Sequence, residues 1–84
     1  MRERITASKL KVGGTYLNER MYMYRRILEI EGNNYVLYKN DLGNVRGCSK
    51  SHFARKHPYL ALQEDIERID KEVEEFYEKH PECL

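Results

Sequence analysis

The sequence predicts an α+β protein in which an antiparallel meander of four to five short strands is followed by a long C-terminal amphipathic helix. Short runs rich in aromatic and β-branched residues alternate with Gly- and Asn-rich turns up to residue 48. Beyond Pro58, apolar residues instead recur every three or four positions, as on one face of a helix. With 84 residues, the chain is long enough for one small domain with a thin core. We therefore expect a single folding unit, with a β domain over residues 1–58 and a helix within residues 59–84.

The strands are predicted from the turn signals between them. Gly13-Gly14 lets the chain turn tightly into the first strand, and Gly32-Asn33-Asn34 closes a hairpin between the second and the third. A second turn, over residues 40–44, leads into the fourth. The predicted strands cover residues 15–17, 21–31, 35–39 and 45–48.

Two helices are predicted after the strands. Ser49 can accept a backbone amide at a helix start, so a short helix is expected near residues 50–56, and Pro58 ends it. A longer helix is expected from about residue 60 to residue 79. Its apolar residues, spaced by four, three, four and three, are Leu62, Ile66, Ile69, Val73 and Phe76.

The order Gly-x-Tyr, a long hairpin closed at Gly-Asn, a Gly-containing strand and then Phe53-Ala54-Arg55 resembles small SH3-like barrel proteins of bacteria and phages. The resemblance covers roughly residues 10–57. It implies a compact SH3-like barrel of four or five strands. This fold serves nucleic-acid binding, peptide binding and inhibitor roles alike, so the resemblance implies a binding module without naming its ligand.

Charge is divided by position along the chain. Residues 1–58 hold 12 Lys and Arg against 5 Asp and Glu, whereas residues 59–84 hold 3 against 9. A net charge of +1 for the whole chain therefore hides a basic body and an acidic tail. Such an asymmetry is typical of a surface that faces a polyanion, of a tail that folds back on its own body, or of two copies that exchange tails.

The apolar stripe of the C-terminal helix has two interpretations. Its spacing matches the heptad seam of a coiled coil, which predicts self-association through Leu62, Ile66, Ile69, Val73 and Phe76. An ordinary amphipathic helix packed on its own β domain shows the same stripe. The first interpretation predicts a homodimer, and the sequence leaves both open.

The predicted hairpin combines aromatic and basic residues, and the residues around it add further cations. Tyrosine rings can stack on unpaired bases, and Arg or Lys can neutralise phosphates, which is how small barrels bind single strands. Tyrosines are also ordinary strand residues whose rings fill a thin core. The candidate nucleic-acid residues are Tyr22, Arg25, Arg26, Tyr35, Lys39, Arg46, Lys50, Arg55 and Lys56.

Metal binding and catalysis find little support in the sequence. Cys48, His52 and His57 have metal-capable side chains, but their C-x3-H-x4-H spacing lacks the tight pairing of most zinc sites. A Cys48–His52 thiolate pair lacks an evident third group that would orient it. We therefore expect no enzymatic activity, no cofactor, no metal and no small-molecule substrate.

The expected function is a small, non-catalytic binding module. Two cysteines far apart in sequence and the lack of an apolar stretch near the N-terminus predict a cytoplasmic protein with no membrane partner. Because the net charge is close to zero, protein interaction in an inhibitor or adaptor role, with self-association through the C-terminal helix, is preferred. Binding of nucleic acid by the Tyr/Arg hairpin is the alternative.

Overall fold

A computed structural model describes residues 2–83, and the side chains of residues 2–82. Five strands and two α-helices form an α+β fold, and one 3₁₀ turn lies near each end of the chain, at Ala7–Lys9 and Pro81–Cys83. In chain order the main elements are β1 (Thr15–Leu17), β2 (Tyr24–Glu31), β3 (Tyr35–Asn40), β4 (Val45–Ser49), α1 (Lys50–Lys56), β5 (Tyr59–Leu60) and α2 (Gln63–Lys79).

The five strands form one open antiparallel sheet in the order β4-β3-β2-β1-β5. The antiparallel meander and the C-terminal helix of the sequence prediction are confirmed, but the sheet does not close into a barrel. Its edge strands β4 and β5 pair only with β3 and β1, respectively. β4 and β5 thus lie at opposite edges of the sheet, and no ladder joins them.

The two helices cover opposite faces of the sheet. Successive strand residues point to opposite sides, so Tyr16 faces α1 while its neighbour Leu17 faces α2. On the α1 side, the buried core consists of Leu10, Tyr16, Ile27, Val36, Tyr38, Phe53 and Ala54. On the α2 side, a smaller core consists of Leu17, Tyr24 and Ile69. β1 is buried throughout because it is covered on both faces.

Helix α1 is positioned by its cap and by one aromatic residue. The Ser49 hydroxyl accepts the backbone N–H of His52 at 3.2 Å, as the sequence predicts. Phe53 is fully buried, and its ring makes edge contacts with Tyr16 and Tyr38 at centroid distances of 5.7 and 5.6 Å. These contacts fix the rotation of α1 about its axis and so determine which side chains of its last turn face solvent.

Helix α2 begins three residues later than the sequence predicts. Leu60 belongs to β5, and the Ala61 N–H donates to the Thr15 carbonyl at 2.9 Å, so the chain is still extended there. The helix starts after Leu62, whose N–H donates to the Asp65 carboxylate at 2.8 Å. It ends at Lys79, before Pro81. Among the described residues, no helix is long and apolar enough to span a bilayer.

Candidate nucleic-acid interface

A groove of about 450 Å³ lies between the β1–β2 loop and α1. Five residues define what we call the basic groove: Arg20, Tyr22, Arg25, Arg55 and Lys56. Arg20 and Tyr22 come from the loop, Arg25 from β2, and Arg55 and Lys56 from the last turn of α1. Positive side chains are favourable in that turn, because the carbonyl end of a helix carries partial negative charge.

The cations of the basic groove have no carboxylate partner among residues 2–83. The ion pairs found there engage Arg2, Arg4, Arg68 and His80 instead. Glu19, the one acidic residue that lines the groove, binds Arg4. The groove therefore keeps an excess of positive charge.

Arg25 is held in place by an aromatic ring. Its guanidinium lies 4.3 Å from the centroid of the Tyr38 ring, which is a close cation–π contact. Its Nε is buried and has no hydrogen-bond partner within the described part of the chain. The side chain is thus positioned by packing, and the described residues offer it no ion-pair partner.

His57 forms a buried wall of the groove and carries no charge near neutral pH. The side chain is only 4% exposed, and neither ring nitrogen has a hydrogen-bond partner among residues 2–83. Burial lowers the pKa of His57 to about 3, with a smaller contribution from the positive charge of Arg25. The ring packs against Phe53 at a centroid distance of 5.6 Å. His57 therefore shapes the groove and leaves its charge to the Arg and Lys residues.

The β1–β2 loop presents Tyr22 to solvent beside these cations. The Asn18 side-chain oxygen accepts the backbone N–H groups of Tyr22 and Met23 at 2.9 and 3.1 Å. Met21 completes the turn with a left-handed φ of 59°. The Tyr22 side chain remains 51% exposed. An aromatic ring is thus held at the groove by a loop whose backbone is fixed.

The structure brings together four of the nine residues that the sequence proposes for nucleic-acid binding: Tyr22, Arg25, Arg55 and Lys56. Three others lie on the α2 side of the sheet: Arg26, Tyr35 and Lys39. Arg26 pairs with Lys39, Tyr35 shares a strand face with Lys39, and Arg25 lies on the opposite face. The last two, Arg46 and Lys50, lie outside the groove: the Arg46 guanidinium donates to the Val45 carbonyl, and Lys50 begins α1.

Sequence reasoning missed Arg20 and His52 as residues of this groove. Arg20 lies in a segment that reads only as a connection, and His52 suggests a metal ligand more readily than a groove wall. The sequence signal for these residues is a charged loop next to the strand that contains Arg25. This signal does not reveal that α1 packs beside the loop.

Three of the five stripe residues of α2 are used by the chain's own fold. Ile69 is 1% exposed and packs against Leu17 and Tyr24, and Ile66 and Val73 contact the same cluster. Leu62 and Phe76 remain 49% and 48% exposed. Packing on the chain's own sheet, the second interpretation of the stripe, therefore accounts for its middle, while its two ends remain available to a partner.

The Cys48, His52 and His57 cluster shows no metal-binding arrangement. Among the described residues, no three or more His, Cys, Asp or Glu side chains are grouped closely enough to hold a metal ion. Cys48 is a free, half-buried thiol on the α1 side of the sheet. Burial raises the pKa of the Cys48 thiol, an effect that the charge of Arg25 partly offsets, so the protonated form is favoured.

The chain was compared with protein-family models, with curated protein sequences and with solved structures, and none of them matches it.

Proposed function

We propose that the protein binds single-stranded nucleic acid in the basic groove. The observation that carries this proposal is the convergence of four cations without carboxylate partners in the described chain, contributed by three separate segments, on one concave surface. Positive side chains of one sign that gather in this way raise the local concentration of a polyanion and neutralise its phosphates.

Tyr22 supports a single strand over a duplex as the ligand. In a duplex the bases are stacked on one another, whereas unpaired bases can stack on an exposed aromatic side chain. Tyr22 is half exposed and lies beside Arg25, where a base attached to a bound phosphate would meet its ring. We propose that the cations hold the backbone and that Tyr22 stacks on a base.

The position of α2 explains how a chain with a net charge of +1 can bind a polyanion. Helix α2 carries eight acidic and three basic side chains. It packs on Leu17 and Tyr24, on the face of the sheet opposite to α1. The α2 side chain that hydrogen-bonds the β1–β2 loop is a cation, Arg68, which donates to the Met21 carbonyl at 2.8 Å. The overall charge therefore understates the local potential at the groove.

Binding is tested by fluorescence anisotropy with labelled single-stranded and duplex oligonucleotides over a salt series. Four phosphate contacts predict a slope of log K against log salt of about −3 for a single strand. The double variant Arg55→Ala/Lys56→Ala should weaken binding and bring the slope to about −1.4, because two contacts are lost.

The matched control is the double variant Arg26→Ala/Lys39→Ala, which removes the same two residue types from the opposite face of the sheet. It should bind like the wild type. Equal losses in both double variants, or an affinity that does not depend on salt, would contradict the proposal. A separate loss in Tyr22→Ala, without a change in salt slope, is expected if the ring stacks on a base.

Protein interaction in an adaptor or inhibitor role is a second candidate function. The half-exposed Leu62 and Phe76 favour it, because an apolar side chain left at each end of a helix can dock on a partner. We propose a cytoplasmic, non-catalytic protein in either case, which agrees with a free thiol whose protonated form is favoured. We also propose that the fold is related to the SH3-like barrels that the sequence resembles, as an open form in which no ladder joins β4 to β5.

A further inference from the structure

The C-terminal part of α2 extends beyond its contacts with the sheet. Val73 is the last residue of the helix that packs against the Leu17 and Tyr24 cluster. The following segment, residues 74–79, is here called the helix tip. Within it, Phe76 is 48% exposed, and its ring contacts the ring of Tyr77, the next residue, and that of His80, four residues further on. The helix tip carries a net charge of −2, from Glu74, Glu75 and Glu78 against Lys79.

A second, apolar concavity lies at the opposite end of α2. Two adjoining cavities of about 310 and 480 Å³ share Ile5, Lys9 and Leu60 as lining residues. Together with Lys11 and Leu62 these residues define what we call the N-terminal groove. Leu60 is 51% exposed and Leu62 is 49% exposed, so the apolar lining is open to solvent.

The rim of the N-terminal groove is positive. Lys9 and Lys11 have no carboxylate partner among residues 2–83, whereas Arg2 and Arg4 are neutralised by Asp65 and Glu19. Glu3 is the acidic side chain that lines this groove. An apolar floor bordered by two free amines is complementary to an exposed aromatic side chain on a helix tip of net negative charge.

We propose that the N-terminal groove of one molecule binds the helix tip of a second copy. Phe76 of the incoming helix would pack on Ile5, Leu60 and Leu62, while the net negative charge of the tip lies close to Lys9 and Lys11. The apolar contact supplies the affinity, and the charges select the orientation and reject a tip of the wrong sign. The helix tip and the N-terminal groove share no residue with the basic groove.

A molecule cannot place its own helix tip in its own groove. Leu62 immediately precedes α2, and Phe76 lies fourteen positions after it. At 1.5 Å per residue, the two ends are separated by about 21 Å along a rigid helix. The contact is therefore intermolecular.

A side-by-side pairing of two α2 helices is disfavoured. Each α2 carries a net charge of −5, and Ile69 in the middle of its stripe is already buried against the sheet. Two such helices would repel each other and would lack an apolar seam. The tip-in-groove contact joins different surfaces of the two copies, so repeating it produces a ring or an open chain.

The test is a mixing experiment followed by light scattering. Wild-type protein should associate as its concentration rises. Phe76→Glu, which removes the tip contact, and Leu60→Glu, which blocks the groove, should each be monomeric. When the two variants are mixed, one intact tip and one intact groove remain, so a 1:1 dimer that grows no further is expected.

The control is Leu42→Glu, which places a charge on a leucine that is 47% exposed in the β3–β4 turn and belongs to neither surface. It should associate like the wild type. If Leu60→Glu loses its circular dichroism signal, the double variant Lys9→Glu/Lys11→Glu replaces it, since both of these side chains are exposed. A wild type that stays monomeric at every concentration would overturn the proposal. The proposal would also be overturned if the wild type associates but Phe76→Glu and Leu60→Glu remain monomeric when they are mixed, because that result requires an interface in which both copies use the same surface.

Discussion

Arg2 and Asp65, 63 residues apart, form a bidentate ion pair that ties the N-terminal segment to the first turn of α2. Two guanidinium nitrogens of Arg2 lie 2.7 and 2.9 Å from the two carboxylate oxygens of Asp65. Asp65 is 6% exposed, so its charge depends on this pair and on the Leu62 N–H. The contact joins the N-terminal groove to the helix that begins beside it.

We expect Arg2→Ala to destabilise the fold by about 1–3 kcal/mol, because it leaves a buried carboxylate without its main partner. The hydrogen bond from Arg2 is the largest cause that lowers the pKa of Asp65. Because the pKa of Asp65 is lower in the folded than in the unfolded protein, its carboxylate stabilises the fold at pH values above 3.8, the pKa of the unfolded state. This stabilisation is lost as the pH falls through the pKa of the folded state. Urea unfolding at pH 7 and below pH 3.8 tests this: the cost of Arg2→Ala should shrink in acid, and an unchanged cost would contradict the role of the pair.

Two glycines lie against tyrosine rings, and adding a methyl group is predicted to be costly at one of them and tolerated at the other. A Cβ on Gly14 would lie 2.5 Å from the Tyr16 hydroxyl oxygen, and a Cβ on Gly47 would lie 2.2 Å from that of Tyr35. Tyr16 is 2% exposed, and its hydroxyl accepts the Lys11 N–H at 3.0 Å, so this ring cannot move. Tyr35 is 44% exposed and can swing into solvent.

Gly14→Ala should therefore cost about 1–3 kcal/mol through overpacking. Gly47→Ala should change the free energy of unfolding by about 0.5 kcal/mol or less, because only a surface ring is displaced. Thermal and urea unfolding of the two variants measures the difference. Equal costs would show that the freedom of the tyrosine ring does not decide the outcome.

The strands could be predicted from sequence because their turns are specified locally. Gly32 and Gly43 adopt left-handed φ values of 58° and 86°, which favour glycine and mark the ends of the hairpins. β5 could not be predicted, since two residues carry no periodicity, and its pairing with β1 is a tertiary contact.

The site was less predictable than the fold for a physical reason. Arg25 and Arg26 are neighbours in sequence, but strand alternation sends them to opposite faces, and only the packing of α1 shows which face forms a groove. Arg20 joins Arg55 and Lys56 through contacts between segments about 35 residues apart in the chain. Likewise, the stripe of α2 does not reveal that the sheet covers its middle and leaves Phe76 open.

His57 predicts a loss of stability in mild acid. Its pKa in the folded protein is about 3, against 6.5 for the free side chain, because burial disfavours the charged ring. Above pH 6.5 the ring is neutral in both states, so it contributes no pH dependence there. Between pH 6.5 and about 3 the unfolded chain binds a proton that the folded chain does not, so stability falls with the pH.

His57→Phe should remove this part of the pH dependence, since phenylalanine cannot be protonated and can keep the contact with Phe53. Stability curves of both proteins from pH 7 to pH 4 provide the test, and the difference between them isolates His57 from the carboxylates. The same slope in both proteins would contradict a buried neutral imidazole. The nuclear magnetic resonance signal of the His57 ring should remain that of the neutral form throughout this range.

The contrast between Ile69 and Phe76 tests the division of α2 into a packed part and a free tip. Ile69 is 1% exposed between Leu17 and Tyr24, so Ile69→Asp buries a charge without a partner and should cost about 3–5 kcal/mol. Phe76→Asp changes a residue that is 48% exposed, and it should leave the free energy of unfolding within about 0.5 kcal/mol of the wild type. Circular dichroism with urea at low protein concentration, where association does not contribute, measures both. If Phe76→Asp proves as costly as Ile69→Asp, the tip is part of the monomer's core and is not available to a second copy.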